Sequence, residues 1–259
     1  MLILLSPAKD LAKETPVIAE TTQPVLLEHA VPLATKLKTF SAKKLSALMD
    51  LSPALGELNH ARYQRWGPPF TAKNSRPAVF AFNGEAYRGL DARSLDRDDL
   101  RFAQHHVRIL SGLYGVLRPL DLIQDHRLMM GTALKHGRAR NLYAWWGDRI
   151  SDVLAADLEA SGDRTIINLA SSEYAKAVDF KRLGARVITP VFKDQAPGGY
   201  RMVMVFAKHQ RGAMTRHIIR HRILEAEKVK AYQGDGYRFE PAESEADTWV
   251  FLRDGAPRA

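Results

Sequence analysis

The chain has 259 residues, 46% of them hydrophobic, and a formal net charge of +9 at pH 7, enough apolar content for one substantial core. The absence of cysteine excludes disulfides, thiolate nucleophiles, iron–sulfur ligation and Cys-type zinc sites. No apolar run reaches the ~18 residues of a membrane span. The amino end Met1-Leu2-Ile3-Leu4-Leu5 is too short for a signal-peptide core and meets Ser6-Pro7 at once, so a cytoplasmic protein with no membrane partner is expected.

Taken in chain order, Leu2 to Leu5 reads as a strand followed by Ser6-Pro7-Ala8-Lys9. That spacing matches a serine activated by a lysine, but the motif needs a helix and Pro7 spoils it; an anion-binding turn or a plain turn remains. Helices follow over 26–39, 42–50 and 53–65, with Ser41 capping the second and Ser52-Pro53 opening the third. The hairpin at 41–66 could offer backbone N–H groups to a phosphate, with Lys43, Lys44, Asn59, Arg62 and Arg65 as contacts. Its turn, Leu51-Ser52-Pro53, lacks glycines, and an ordinary packed hairpin is the alternative reading.

A strand is expected over 78–82 and a helix over 97–111 with Gly112 as its C-terminal cap. The following loop, Leu113 to Asp121, would then present Arg118 and Asp121, or pair them internally. After a helix at 147–160, the strand 165–169 runs into Asn168 to Lys176. This places Asn, Ser, Glu, Tyr and Lys outside a strand's carboxyl end, where α/β folds bind ligands. A helix at 173–178, strands at 186–192 and 200–206 joined through Gly198-Gly199, a helix at 208–224 and strands at 237–240 and 248–252 complete the chain. This order predicts a mixed α/β (α+β) protein: one domain over 1–259, a mixed sheet with surrounding helices, and a basic cleft.

Positive charge is concentrated. From Arg201 to Lys230 there are eight basic residues against Glu225 and Glu227, whereas from Tyr232 onward acids outnumber bases. On a helical projection of 207–224, Lys208, Arg211 and Arg222 share one sector and Arg216 and Arg220 another, with Ile219 and Ile223 between. A cleft lining is preferred over internal ion pairs because acids nearby in sequence are few. His217 and His221 have metal-ligand spacing, but the stretch between them supplies no acid and its surroundings are positive; no metal site and no cofactor are assigned. His105 and His106 would point to different helix faces.

Several segments in one order, Ser6-Pro7-Ala8-Lys9, Leu110 to Asp121, Tyr143-Ala144-Trp145-Trp146-Gly147, Ile167 to Ser171 with Glu173-Tyr174, and Arg211-Gly212-Ala213-Met214-Thr215-Arg216, resemble the YaaA family of peroxide-stress proteins. The resemblance implies DNA binding through a helix–hairpin–helix element and lowered free iron under peroxide stress, although nothing in these residues forms an iron site. The resulting expectation is a monomeric DNA binder of the peroxide-stress response, contacting phosphates of double-stranded or locally unpaired DNA. Its contact set is Lys9, Arg118, Arg127, Lys176, Lys208, Arg211, Arg216 and Arg220, with Lys43, Lys44 and Arg62 in the hairpin and Tyr114, Trp145 and Tyr174 as stacking partners. The alternative is an enzyme acting on a nucleotide or nucleic acid phosphate, with Glu173 and Asp121 as acid or base. RNA is not separable from DNA on backbone contacts alone.

Overall fold

The first strand, β1 (Leu2–Leu5), is buried at every position, as a strand covered on both faces by packed elements must be. The computed structural model describes residues 1–255 and places β1 inside an eight-stranded mixed sheet. The other members are β2 (Val107–Ser111), β3 (Gly115–Leu117), β4 (Thr165–Leu169), β5 (Arg186–Ala196), β6 (Gly199–Arg201), β7 (Arg238–Phe239) and β8 (Thr248–Arg253). They run in the order β7-β8-β5-β4-β1-β2-β3, with β6 also on β5. β1 is parallel to both neighbours, Ile3 standing opposite Val107 on one side and Ile167 on the other. The hairpins β2–β3, β5–β6 and β7–β8 are antiparallel, the second turning through Gly198-Gly199 as expected.

Around the sheet lie α1 (Leu27–Lys38), α2 (Ala42–Met49), α3 (Pro53–Arg65), α4 (Glu85–Leu90), α5 (Arg97–His106), α6 (Arg149–Ser161) and α7 (Met204–Arg220). The caps follow local chemistry: the Ser41 hydroxyl accepts from the Lys44 amide at 3.3 Å and the Ser52 hydroxyl from the Leu55 amide at 3.4 Å. Among the described residues no helix is long and apolar enough to cross a membrane.

Three expected elements are corrected. The helix over 97–111 stops at His106, and Val107–Ser111 is the buried strand β2. The apolar positions that suggested a helical face are apolar because β2 is covered on both faces. Gly112 is therefore no helix cap. It sits in the β2–β3 turn, where a Cβ would lie 2.4 Å from the Leu128 carbonyl oxygen, so only glycine lets the two backbones meet. The strand expected over 78–82 is a single helical turn, Ala78–Ala81, with a two-residue strand after it. The strand expected over 200–206 ends at Arg201, and α7 begins at Met204 rather than 208. Met202, Met204 and Val205 are exposed, so no sheet partner holds them extended.

The tightest junction in the fold joins α7 to α4. A Cβ on Gly212 would stand 1.6 Å from the Ala86 carbonyl oxygen, and one on Gly89 would stand 2.1 Å from that of His209. Two glycines thus let the helix backbones touch, fixing the α7 face that carries Lys208 and Arg211 against the start of α4.

A candidate anion-binding site

From β1 the chain moves through α1–α5 to β2 on one side of β1, and later returns as β4 on the other. The carboxyl ends of β1 and β4 therefore open onto a crevice where the strand order reverses, the usual ligand position in such sheets. Ser6, directly after β1, accepts a hydrogen bond from the Ser171 amide at 2.8 Å and donates to the Ser171 hydroxyl at 3.3 Å, pinning the two strand ends together. The Tyr87 hydroxyl donates to the Ser6 carbonyl at 3.1 Å, adding α4 to the same wall.

The crevice is a cavity of about 360 Å³ whose lining includes Lys9, Arg127, Lys208, Arg211, Glu173 and Tyr174. Lys208 and Arg211 are three apart on α7 and so share a helix face. Arg211 is partly buried, and that burial holds its guanidinium pKa below the usual arginine value; among the described residues no carboxylate offsets the cost. The Nε of Arg127 is buried with no hydrogen-bond partner among the described residues. On the acidic side, Glu173 Oε1 accepts from the Gly131 amide at 2.8 Å, and Glu85 is held by Arg88. Burial, with the Glu173 charge adding to it, pushes the Tyr174 phenol up, so it stays protonated and can donate. Two partly buried arginines and two exposed lysines, none of them in an ion pair among the described residues, stand beside apolar strand ends, an arrangement with the chemistry to receive an anion.

Six expected site residues, Lys9, Arg127, Lys208, Arg211, Glu173 and Tyr174, are brought together here. Tyr174 is only 7% exposed, so its ring is wall and not a free stacking face. The other arginines expected in a cleft lie outside this lining and are engaged by acids or carbonyls distant in sequence. Arg118 pairs with Asp157 at 2.9 Å, Arg216 with Asp91 at 3.1 Å and Arg222 with Asp99 at 2.5 Å, while Arg220 donates to the Ser94 carbonyl at 2.5 Å. Lys176 lies outside the cavity, 5.3 Å above the Tyr143 ring. Trp145, partly buried, meets His136 edge-on at 4.7 Å outside the cavity lining, and Tyr114 is wholly buried with its hydroxyl accepting from Trp66 Nε1 at 2.9 Å, so the Tyr114 ring is not free to stack on a nucleotide. The His217 and His221 rings lie 4.4 Å apart, tilted at 51° to each other.

Asp121 is likewise misplaced as a partner for Glu173. It is 1% exposed, accepts from the Thr22 hydroxyl at 2.6 Å and from the Arg118 amide at 2.8 Å, and does not line the cavity. Burial pushes its carboxyl up to about 6. Between about pH 4 and 6 the native state thus keeps a proton that the unfolded chain has released, and this group lowers stability as pH rises. Buried His126, pushed down to about 4, does the reverse: the unfolded chain takes up a proton that the native state refuses, so stability rises with pH over that window. In the native protein the two largely offset. Asp121→Asn can keep both hydrogen bonds, so its stability in urea unfolding, relative to the native chain, is expected to grow by roughly 3 kcal/mol from pH 4 to pH 7. Parallel pH profiles for the two proteins would contradict the assignment.

The helical hairpin at 41–66 forms, and three of its turn amides are engaged within it. Leu51 N–H bonds to the Ser46 carbonyl, Asp50 N–H to the same carbonyl, and Leu55 N–H to the Ser52 hydroxyl. Lys43 and Lys44 are exposed on α2, with Lys44 3.8 Å above the Phe40 ring. Arg62 stands 3.9 Å from Asp125 and lines a second, more open depression of about 720 Å³ with Arg65, Lys13, Lys73 and Arg76. The segments Lys9 to Lys13 and Gln124 to Met129 border both depressions. The sequence reading missed Tyr87, Glu85 and Arg88 at the cavity; Gly84 just before that short helix and Gly89 within it were the available signal of close packing.

A family model described as peroxide stress protein YaaA matches residues 1–243. A UPF0246 protein of Polaromonas sp. (strain JS666 / ATCC BAA-500) is 50% identical over 254 residues, covering 98% of each chain. UPF0246 proteins of Saccharophagus degradans and Cupriavidus metallidurans are each 47% identical, over 98% of this chain and 99% and 98% of theirs. With the family model and near-full-length relatives in agreement, the chain belongs to the peroxide stress protein YaaA family.

Proposed function

We propose that this peroxide-stress protein binds DNA through phosphate contacts in the cation-lined cavity and its adjoining groove, and thereby helps limit iron-dependent oxidative damage. The observation that carries this reading is Arg211: a partly buried guanidinium in the cavity lining, with no acidic partner among the described residues, carries a desolvation cost that an entering anion offsets. Orphaned Arg127 Nε in the same lining points the same way. Arginine's planar fork suits a phosphate with two oxygens presented together.

A second reading, an enzyme acting on a nucleotide or nucleic acid phosphate, has one observation in its favour: Glu173 lines the cavity that holds the cations. Titration of labelled duplex, bubble and single-stranded DNA and of RNA between ~50 and ~200 mM salt tests both. Salt-sensitive binding to an intact polymer is the expected result, and the preferred polymer separates DNA from RNA. Cleavage or modification in magnesium or manganese would favour the enzyme, and no binding at the lowest salt would overturn the proposal.

A further inference from the structure

The cavity's lining is not what an uninterrupted phosphate backbone requires. It mixes cations with apolar wall from Pro7, Ala8, Leu128 and Met129 and with a carboxylate. Its volume of about 360 Å³ is in the range of small-ligand pockets and too small for a duplex. Glu173 is the informative residue. Only its Oε1 is engaged, by the Gly131 amide, and among the described residues its Oε2 accepts no hydrogen bond. Of the other carboxylates in the lining, Glu85 is paired with Arg88, and Asp10, at the rim, is exposed to solvent. A carboxylate with a spare oxygen opposes a bare phosphate but suits a ligand that carries N–H donors as well as an anion.

We propose that the cavity takes one nucleoside 5′-phosphate unit, with Arg211 and Arg127 on the phosphate and Glu173 accepting from the amino group of the base. The inference rests on the DNA reading for one of two sources of that unit: a nucleotide turned out of a DNA strand, or a free nucleotide. Turning a base out of the stack lets a small cavity read one nucleotide of a long polymer. Adenine, cytosine and guanine offer an amino donor, whereas the N–H of thymine is flanked by two carbonyls that a carboxylate repels.

The test is calorimetric titration with dAMP, dCMP, dGMP, dTMP, deoxyribose 5-phosphate and inorganic phosphate at ~50 mM salt, on the native chain, Arg211→Ala and Glu173→Gln. The same proteins are titrated with duplexes that are fully paired or carry one unpaired nucleotide. The three amino-bearing nucleotides should bind at least ~10-fold more tightly than dTMP, as a loss of one charged hydrogen bond implies. Arg211→Ala should weaken all of them, and Glu173→Gln, whose amide donates as well as accepts, should raise dTMP towards the others. That last change is a selectivity readout that a merely structural glutamate would not move.

Tighter binding of the unpaired duplex, with the same base ranking at the unpaired position, assigns the unit to DNA. Ranking seen only with mononucleotides assigns it to the free pool. Equal binding of phosphate, sugar phosphate and nucleotides, or a ranking unchanged in Glu173→Gln, overturns the proposal. Loss of all mononucleotide binding while DNA still binds overturns it and leaves the DNA reading standing; loss of both removes both.

Discussion

Arg211→Ala is expected to weaken DNA binding about 10- to 100-fold, the range for deleting a charge-assisted hydrogen bond to an anion. The loss should be similar for every sequence, because phosphates carry no base information, and the slope of log affinity against log salt should fall by about 0.9. The same substitution should not reduce stability. Arg211 is partly buried without a compensating acid among the described residues, so its removal relieves the fold of an unpaired charge, and the thermal midpoint is expected to hold or rise. Gain of stability with loss of affinity separates a ligand-binding arginine from a structural one. A fall in thermal midpoint with unchanged affinity would reassign Arg211 to the fold. Arg216, already paired with Asp91, is the internal contrast: Arg216→Ala should cost stability and leave the salt slope nearly untouched.

Gly212→Ala is expected to destabilise the protein by about 3 kcal/mol or more, on the order of 10 °C in thermal midpoint. The added methyl group would lie 1.6 Å from the Ala86 carbonyl oxygen and 2.7 Å from the Leu90 nitrogen. Those are backbone atoms, so no rotamer change relieves the clash and α7 must move away from α4. Because α7 carries Lys208 and Arg211, binding should fall with stability. Gly67→Ala, whose new Cβ would meet only the end of Lys38 at 3.8 Å, is the matched control and should change little. Equal stabilities for the two variants would show that the helix crossing is looser than the geometry requires.

Much of the architecture was legible because periodicity and composition are local. Leu2–Leu5 and Thr165–Leu169 are apolar, β-rich runs with turn residues at their ends, and they proved to be adjacent parallel strands. Val107–Ser111 was misread because a strand buried on both faces has no alternation to show, and it follows directly on the helix Arg97–His106 without a breaking residue. The cavity was legible at Lys9, Glu173 and Lys208 to Arg211, since strand ends and an arginine-rich helix both mark sites from sequence.

The ion pairs were not legible. Asp91, Asp99 and Asp157 neutralise Arg216, Arg222 and Arg118 across separations that a count of neighbouring acids does not reach. For the same reason the hairpin at 41–66 was recognisable as two helices while the use of its turn amides was not. Arg127 was expected as a phosphate contact only as one cation among several; its orphaned Nε is visible only once the fold places it in the cavity lining.

The most direct test of the account is to map where DNA lies. Duplex DNA carrying a photoreactive phosphate analogue would be bound at ~50 mM salt, irradiated, and the crosslinked peptides identified. Crosslinks should concentrate on Ser6–Lys13, Asn83–Arg88, Gln124–Met129 and the Lys208–Arg211 face of α7, the segments that line the cavity and its groove. Crosslinks confined to other surfaces, such as the α2 lysines or the exposed 226–231 segment, would contradict it.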